Sequence, residues 1–216
     1  MSTTDPRRGL FLTFEGMDGS GKTTQMRLMA QKLRAAGRDV VETVEPGGTR
    51  IGTQVRRILL DSANQELCPT AELLLYFACR AQNVEECILP ALREGKIVVS
   101  DRFTDSTLVY QGAARGLGVD VVLALDKVAS RGLVPDLTLL IDIDVETSLA
   151  RAQARNLQST ETRMDDQAID FHRRVHDAYA ELAARERHRF KIIDGRGDVE
   201  TTALAVWEAV AEFLHV

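Results

Sequence analysis

The stretch Gly16-Met17-Asp18-Gly19-Ser20-Gly21-Lys22-Thr23 decides how the rest of the chain is read. Its glycine, four residues and Gly-Lys-Thr make the P-loop pattern, which binds phosphate. The flanks fit. Before it, Leu10 to Phe14 reads as a buried strand. After it, Met26, Met29, Leu33 and Ala36 recur at helical spacing until Gly37 stops the run. The glycines let backbone N–H groups converge on phosphate oxygens, and the helix dipole adds positive potential. Lys22 can reach terminal phosphates, and the Thr23 hydroxyl suits a magnesium ion. Gly16, Met17, Asp18, Gly19, Ser20, Gly21, Lys22, Thr23 and Thr24 are therefore expected to hold a nucleoside triphosphate.

Composition sets outer limits. With 216 residues, 44% of them hydrophobic, the chain can bury one substantial core. A net charge of -5 argues against a general nucleic-acid or membrane surface. No apolar run is long enough to span a bilayer, and the polar Met1–Gly9 stretch does not read as a signal peptide. Cys68, Cys79 and Cys87 have no metal-ligand spacing and read as free thiols of a reducing, cytoplasmic compartment. His172 and His176 share a helical spacing but lack an apparent third ligand, so an ordinary helix face is the better reading.

Strand and helix patterns alternate. Strands are expected at Leu10–Phe14, Val40–Thr43, Ile97–Ser100, Leu137–Ile143 and Phe190–Ile193. The helical stretches include Thr70–Arg93, Val119–Arg131, Val145–Arg155, Gln167–Arg187 and Glu200–Leu214. This implies a three-layer α/β fold of the P-loop NTPase kind, a five-stranded parallel sheet flanked by helices. We expect one domain over residues 1–216, with residues 1–8 disordered and a mobile lid at about 151–165. Ligands gather at the carboxyl ends of parallel strands. The P-loop follows the first expected strand, Glu45-Pro46-Gly47-Gly48-Thr49 the second, and Asp101-Arg102-Phe103 the third.

Asp101 closes its strand as a magnesium-binding carboxylate would, and Arg102 sets a permanently charged fork beside it. The Asp-x-x-Gly and Asn-Lys-x-Asp patterns of a switch GTPase are missing where they would be needed. Phe14 to Thr24, Glu45 to Thr49, Asp101-Arg102-Phe103 and Tyr110-Gln111-Gly112 together resemble the thymidylate kinase family of the bacterial type, in its order and spacing. The resemblance runs from about Leu10 to the end of the chain. It implies transfer of the ATP γ-phosphate to dTMP with Mg²⁺, and a homodimer.

The roles that follow are implied by that resemblance. Asp18 takes the 3′-hydroxyl of dTMP, Arg102 the acceptor phosphate, and Asp101 with Thr23 the metal. Lys22, Asp18, Asp101 and Arg102 form the catalytic set. Glu45 shapes the acceptor pocket, Tyr76 meets the thymine ring, and Arg80 donates to its 4-oxygen. Ser106, Thr107, Tyr110 and Gln111 complete that side. Thr107 bonds the base, Tyr110 crowds the sugar 2′ carbon, and Gln111 meets the base edge. In isolation, Tyr76 and Arg80 also read as a core tyrosine and a solvated arginine, four apart on one helix face.

The P-loop carries no arginine, and the resemblance to the bacterial type implies that a lid arginine then neutralises the transferring phosphoryl group. Arg155 is the first choice and Arg163 the second, with Arg151 against adenine. Val44 stands where the family often has arginine, and no glycine separates the lid arginines. Two other readings stay open: a kinase for dUMP, UMP or AMP, and a non-catalytic ATP-binding module.

Overall fold

The computed structural model describes residues 9–156 and 160–215, and the expectation for residues 1–8 lies outside them. Among the described residues five strands alternate with helices: β1 (Phe11–Glu15), β2 (Val40–Val44), β3 (Ile97–Asp101), β4 (Leu137–Asp142) and β5 (Phe190–Asp194). They form one parallel sheet in the order β2-β3-β1-β4-β5. The register sets Asp101 beside both Phe14 and Val44. The ends of β1, β2 and β3 therefore open onto one crevice, the usual ligand position in such sheets.

Alternation along the strands builds the layers. Leu12, Phe14, Val99, Leu139 and Ile141 pack on one face with Met26, Met29 and Leu33 of α1 (Lys22–Ala35) and Val206 and Val210 of α9 (Val199–Leu214). Phe11 and Val98 point the other way, onto Val84, Ile88, Leu92 and Phe103. On that side Leu140 meets Val109, Tyr110, Phe171, Val175 and Tyr179, the last three from α8 (Ile169–Arg185). The three-layer α/β fold expected from the alternating pattern is the one observed.

The helices differ in detail. The sequence pattern misses α2 (Arg50–Leu60), because Ile51 and Ile58 face outward and only Gly52 and Leu59 are buried. Its start is marked by Thr49, whose side chain accepts a cap bond from the Gly52 N–H. The single helix expected over Thr70–Arg93 is α3 (Pro69–Asn83), a π-helical turn (Val84–Ile88) and α4 (Leu89–Arg93). Pro90 has no N–H for the carbonyl four residues back, which fits a widened turn at this point. After Asp101-Arg102-Phe103 the chain is helical: α5 (Thr104–Thr107) runs into a π-helical segment (Leu108–Ala114), followed by α6 (Val119–Ala129). Then α7 (Val145–Asn156) leads toward the expected lid. Residues after the undescribed gap are docked rather than extended. The Ser62 N–H donates to Thr160 O, and Arg56 pairs with Glu161 at 2.9 Å. Among the described residues no helix is long and apolar enough to cross a membrane.

Candidate active site

The P-loop turn depends on backbone that side chains would block. Gly16 (φ 136°) and Gly19 (φ 81°) both have positive φ, and a Cβ on either would collide with the carbonyl of Ile141 or Ser148. Ser148, on α7, also donates to the Asp18 carbonyl at 2.5 Å and so ties that helix to the loop. Lys22, the first residue of α1, folds back. Its Nζ donates to Met17 O (3.1 Å) and Asp18 Oδ1 (3.4 Å). Burial, and then the charge of Arg102, lower the lysine pKa. Thr24 is exposed, whereas the Ser20 Oγ is buried and has no hydrogen-bond partner among the described residues.

The Thr23 hydroxyl touches Asp101 Oδ2 at the end of β3. A hydroxyl and a carboxylate alone do not enclose a cation, and no group of three or more His, Cys, Asp or Glu with metal-holding geometry occurs among the described residues. Two protein oxygens are nonetheless the donor set that suits magnesium, which keeps several waters and takes its other ligands from phosphates.

Asp101 leads into Arg102, held at φ 71°. That conformation costs a non-glycine residue about 1 kcal/mol or more and persists only when its surroundings fix it. Here the Arg102 N–H donates to Phe14 O (2.9 Å), and the Ser100 hydroxyl donates to Arg102 O (2.7 Å). The guanidinium is then aimed across the crevice. Nη2 donates to Asp18 Oδ1 (3.0 Å) and Tyr110 Oη (3.3 Å), and Nη1 to Ser106 Oγ (2.8 Å) and Tyr179 Oη (3.2 Å).

Behind Arg102 lies Glu15, fully buried at the end of β1. Oε1 accepts from the Phe103 N–H (2.8 Å) and the Ser106 N–H (3.4 Å). Oε2 accepts from the Ser106 (2.6 Å) and Tyr179 (2.8 Å) hydroxyls. Burial, with Asp105 second, pushes its carboxyl up to about 7 against the pull of Arg102. Asp105 is itself held by both terminal nitrogens of Arg189, each at 2.7 Å.

The far side of the cleft is built on α3. Arg80 is 1% exposed and donates to Glu45 Oε2 (2.8 Å), Asp126 Oδ1 (3.0 Å) and Thr107 Oγ1 (2.9 Å). Its guanidinium lies 4.8 Å from the Phe103 ring centre. Burial raises the Glu45 pKa, while Arg80 and the Asn83 amide (3.1 Å) oppose the rise. The arginine, read in isolation as a solvated charge, is thus a buried one with two carboxylate partners. A cavity of about 650 Å³ brings Asp18, Lys22 and Thr23 together with Glu45, Tyr76, Arg80, Asp101, Arg102, Ser106, Thr107, Tyr110 and Gln111.

Among the arginines expected from the lid, Arg151 is exposed and donates to Gly195 O (3.2 Å), beside the P-loop. The Arg155 side chain lies outside the described residues. Arg163 is not presented over the cleft. It is 2% exposed, pairs with Glu72 at 2.7 Å and donates to the Leu59 carbonyl (2.5 Å). It is expected from sequence on a mobile lid, as the second choice for the catalytic arginine, but Glu72 on α3 supplies a buried counter-charge that draws it in. Sequence reasoning also missed Glu15, Tyr179, Glu72 and Asp126. Glu15 carried a signal, a charged residue closing an otherwise apolar strand. The other three carried none.

The thymidylate kinase family model matches residues 14–204. The chain is 52% identical over 201 residues to the thymidylate kinase of Geobacter sulfurreducens, covering 92% of this chain and 94% of that protein. It is 48% identical over 208 residues to that of Citrifermentans bemidjiense, covering 94% and 92%. The crystal structure of thymidylate kinase from Ehrlichia chaffeensis superposes with a TM-score of 0.76 at 34% identity, covering 94% of this chain and 98% of that one. The match spans the P-loop, the strand ends and the helices that wall the cleft, and the chain belongs to the thymidylate kinase family.

Proposed function

We propose that the chain transfers the γ-phosphoryl group of ATP to dTMP, giving dTDP and ADP. The observation that carries this reading is the double engagement of Asp18. One carboxylate oxygen accepts from Lys22 at 3.4 Å and from Arg102 at 3.0 Å. The cation of the donor side and the cation of the acceptor side therefore meet at one point, where two phosphate chains would come end to end.

The roles follow from charge and reach. The P-loop amides and Lys22 hold the ATP phosphates, and Arg102 holds the phosphate of dTMP. Thr23 and Asp101 would hold Mg²⁺, which when bound offsets charge on the donor phosphates. No general base is required, because the attacking phosphate oxygen is already anionic. Rate comes from alignment and charge neutralisation. Arg80 and its neighbours take the base, with Tyr110 beside the sugar. Arg151 lies against adenine, and Arg155 is the arginine left to close over the transferring group from a lid at about 151–165.

We also assign a homodimer. Leu74 on α3 and Val121 and Val128 on α6 are exposed apolar residues, and these two helices pack together. Three free cysteines fit a reducing, cytoplasmic setting. The kinase reading is tested by ADP release with ATP and Mg²⁺ across dTMP, dUMP, UMP and AMP. Preference for dTMP supports it; equal turnover of AMP, or no turnover of any monophosphate, defeats it.

A further inference from the structure

Glu72 stands on the first turn of α3, is 1% exposed, and its carboxylate bonds to Gln111 and Arg163 among the residues named above. Four donors converge on it. Arg163 Nη1 (2.7 Å) and Arg115 Nη2 (3.1 Å) reach Oε2. Arg115 Nε (3.2 Å) and Gln111 Nε2 (2.9 Å) reach Oε1. With four N–H donors aimed at its two oxygens, the Glu72 carboxylate acts only as an acceptor. Gln111 must therefore turn its NH₂ group toward Glu72. The amide oxygen, which has no hydrogen-bond partner among the described residues, is left for the cleft that Gln111 lines.

One helical turn earlier on the same segment, the Thr107 hydroxyl accepts from Arg80. Arg80 gives three of its five N–H groups to protein and lines the same cleft, so two remain. The wall thus offers a donor from Arg80 and an acceptor from Gln111. Thymine and uracil present the complement, a carbonyl oxygen at position 4 and an N–H at position 3. Cytosine presents the reverse, an amino group and a bare ring nitrogen. Against this wall a cytosine edge would set donor on donor and acceptor on acceptor, away from water.

From this geometry we infer that Glu72 is a positioning residue for base choice: it fixes which end of the Gln111 amide faces the nucleobase, and so selects a pyrimidine with an N3–H. The inference rests on the thymidylate kinase reading and deepens it.

The test compares kcat/KM for dTMP and 5-methyl-dCMP, which share ring shape and methyl group but have reversed edges. In Glu72→Gln the new amide oxygen is drawn to the Oε2 position by Arg115 and Arg163. Its NH₂ then faces Gln111, which turns over and shows NH₂ to the cleft. The dTMP to 5-methyl-dCMP ratio should fall at least about tenfold. Glu72→Asp keeps the charge for the arginines but withdraws it from Gln111, and should lower the ratio in the same direction. In the unaltered enzyme, N3-methyl-dTMP, which lacks the N–H, should bind at least about tenfold more weakly than dTMP.

A ratio that stays constant in a folded variant, with both substrates losing activity in parallel, marks a purely structural role and overturns the inference. So does equal binding of N3-methyl-dTMP and dTMP, which needs no variant. If the unaltered enzyme fails to phosphorylate dTMP at all, the kinase reading is what has failed.

Discussion

Tyr179 on α8 donates to Glu15 Oε2 at 2.8 Å, joining residues 164 positions apart in the chain. The same hydroxyl accepts from Arg102 Nη1 at 3.2 Å. A helix that contributes little else to the cleft thus sets the position of the arginine at its centre. Tyr179→Phe keeps the ring packed and deletes the hydroxyl, with its bonds to Glu15 and Arg102 and its 2.9 Å contact with the Ser106 hydroxyl. The lost hydrogen bonds to charged groups should cost about 1.5–3 kcal/mol. With Arg102 less constrained, the dTMP KM should rise several-fold while the ATP KM changes little. Steady-state kinetics and denaturant unfolding check both, and an unchanged dTMP KM would refute the link.

Glu15 makes stability depend on pH. Burial first and Asp105 second push its carboxyl from 4.5 up to about 7. The folded state therefore holds this proton more tightly than the unfolded chain. The stabilising contribution is complete below 4.5 and is lost as pH rises through 7. Glu15→Gln removes the titration. The unfolding free energy of wild type minus that of the variant should decrease between these values and level off above them. Denaturant titrations across that range read the difference, and one that grows with pH contradicts the assignment.

Donor and acceptor sites should separate kinetically. Lys22→Ala removes a cation from the donor phosphates, so kcat should drop roughly 100-fold or more with little change in dTMP affinity. Arg80→Ala should instead raise the dTMP KM at least about tenfold. It should also cost about 3–5 kcal/mol of stability, because Glu45 and Asp126 would lose a buried partner. Identical kinetic signatures for the two variants would contradict the division.

The Thr23–Asp101 contact predicts a metal requirement. Chelation with EDTA should abolish turnover, and added Mg²⁺ should restore it. Asp101→Asn keeps the size of the side chain but weakens the ligand, so the Mg²⁺ concentration for half-maximal rate should rise about tenfold. An unchanged Mg²⁺ dependence would remove Asp101 from the metal site.

The parts of this molecule that were legible in sequence are those encoded locally. Gly16 to Thr23, the strand that ends in Glu15 and the helix that begins at Lys22 form one short continuous unit. The five apolar strands announce a parallel sheet, and the sheet in turn brings Glu45, Asp101 and the P-loop to one edge. What stayed hidden depends on partners distant in sequence. Nothing near Tyr179 marks it as a neighbour of Glu15. Arg163 reads in sequence as a lid arginine because its counter-ion, Glu72, sits on another helix. The first helix after Thr49 escaped notice because Ile51 and Ile58 turn away from the core and blur its apolar face.

The most direct test is a crystal structure with dTMP and a non-hydrolysable ATP analogue bound together. The account predicts the dTMP phosphate within hydrogen-bonding distance of Arg102, the thymine edge against Arg80, and the triphosphate over the P-loop with its end toward that phosphate. A thymine ring bound away from Arg80, or a monophosphate that does not reach Arg102, would contradict it.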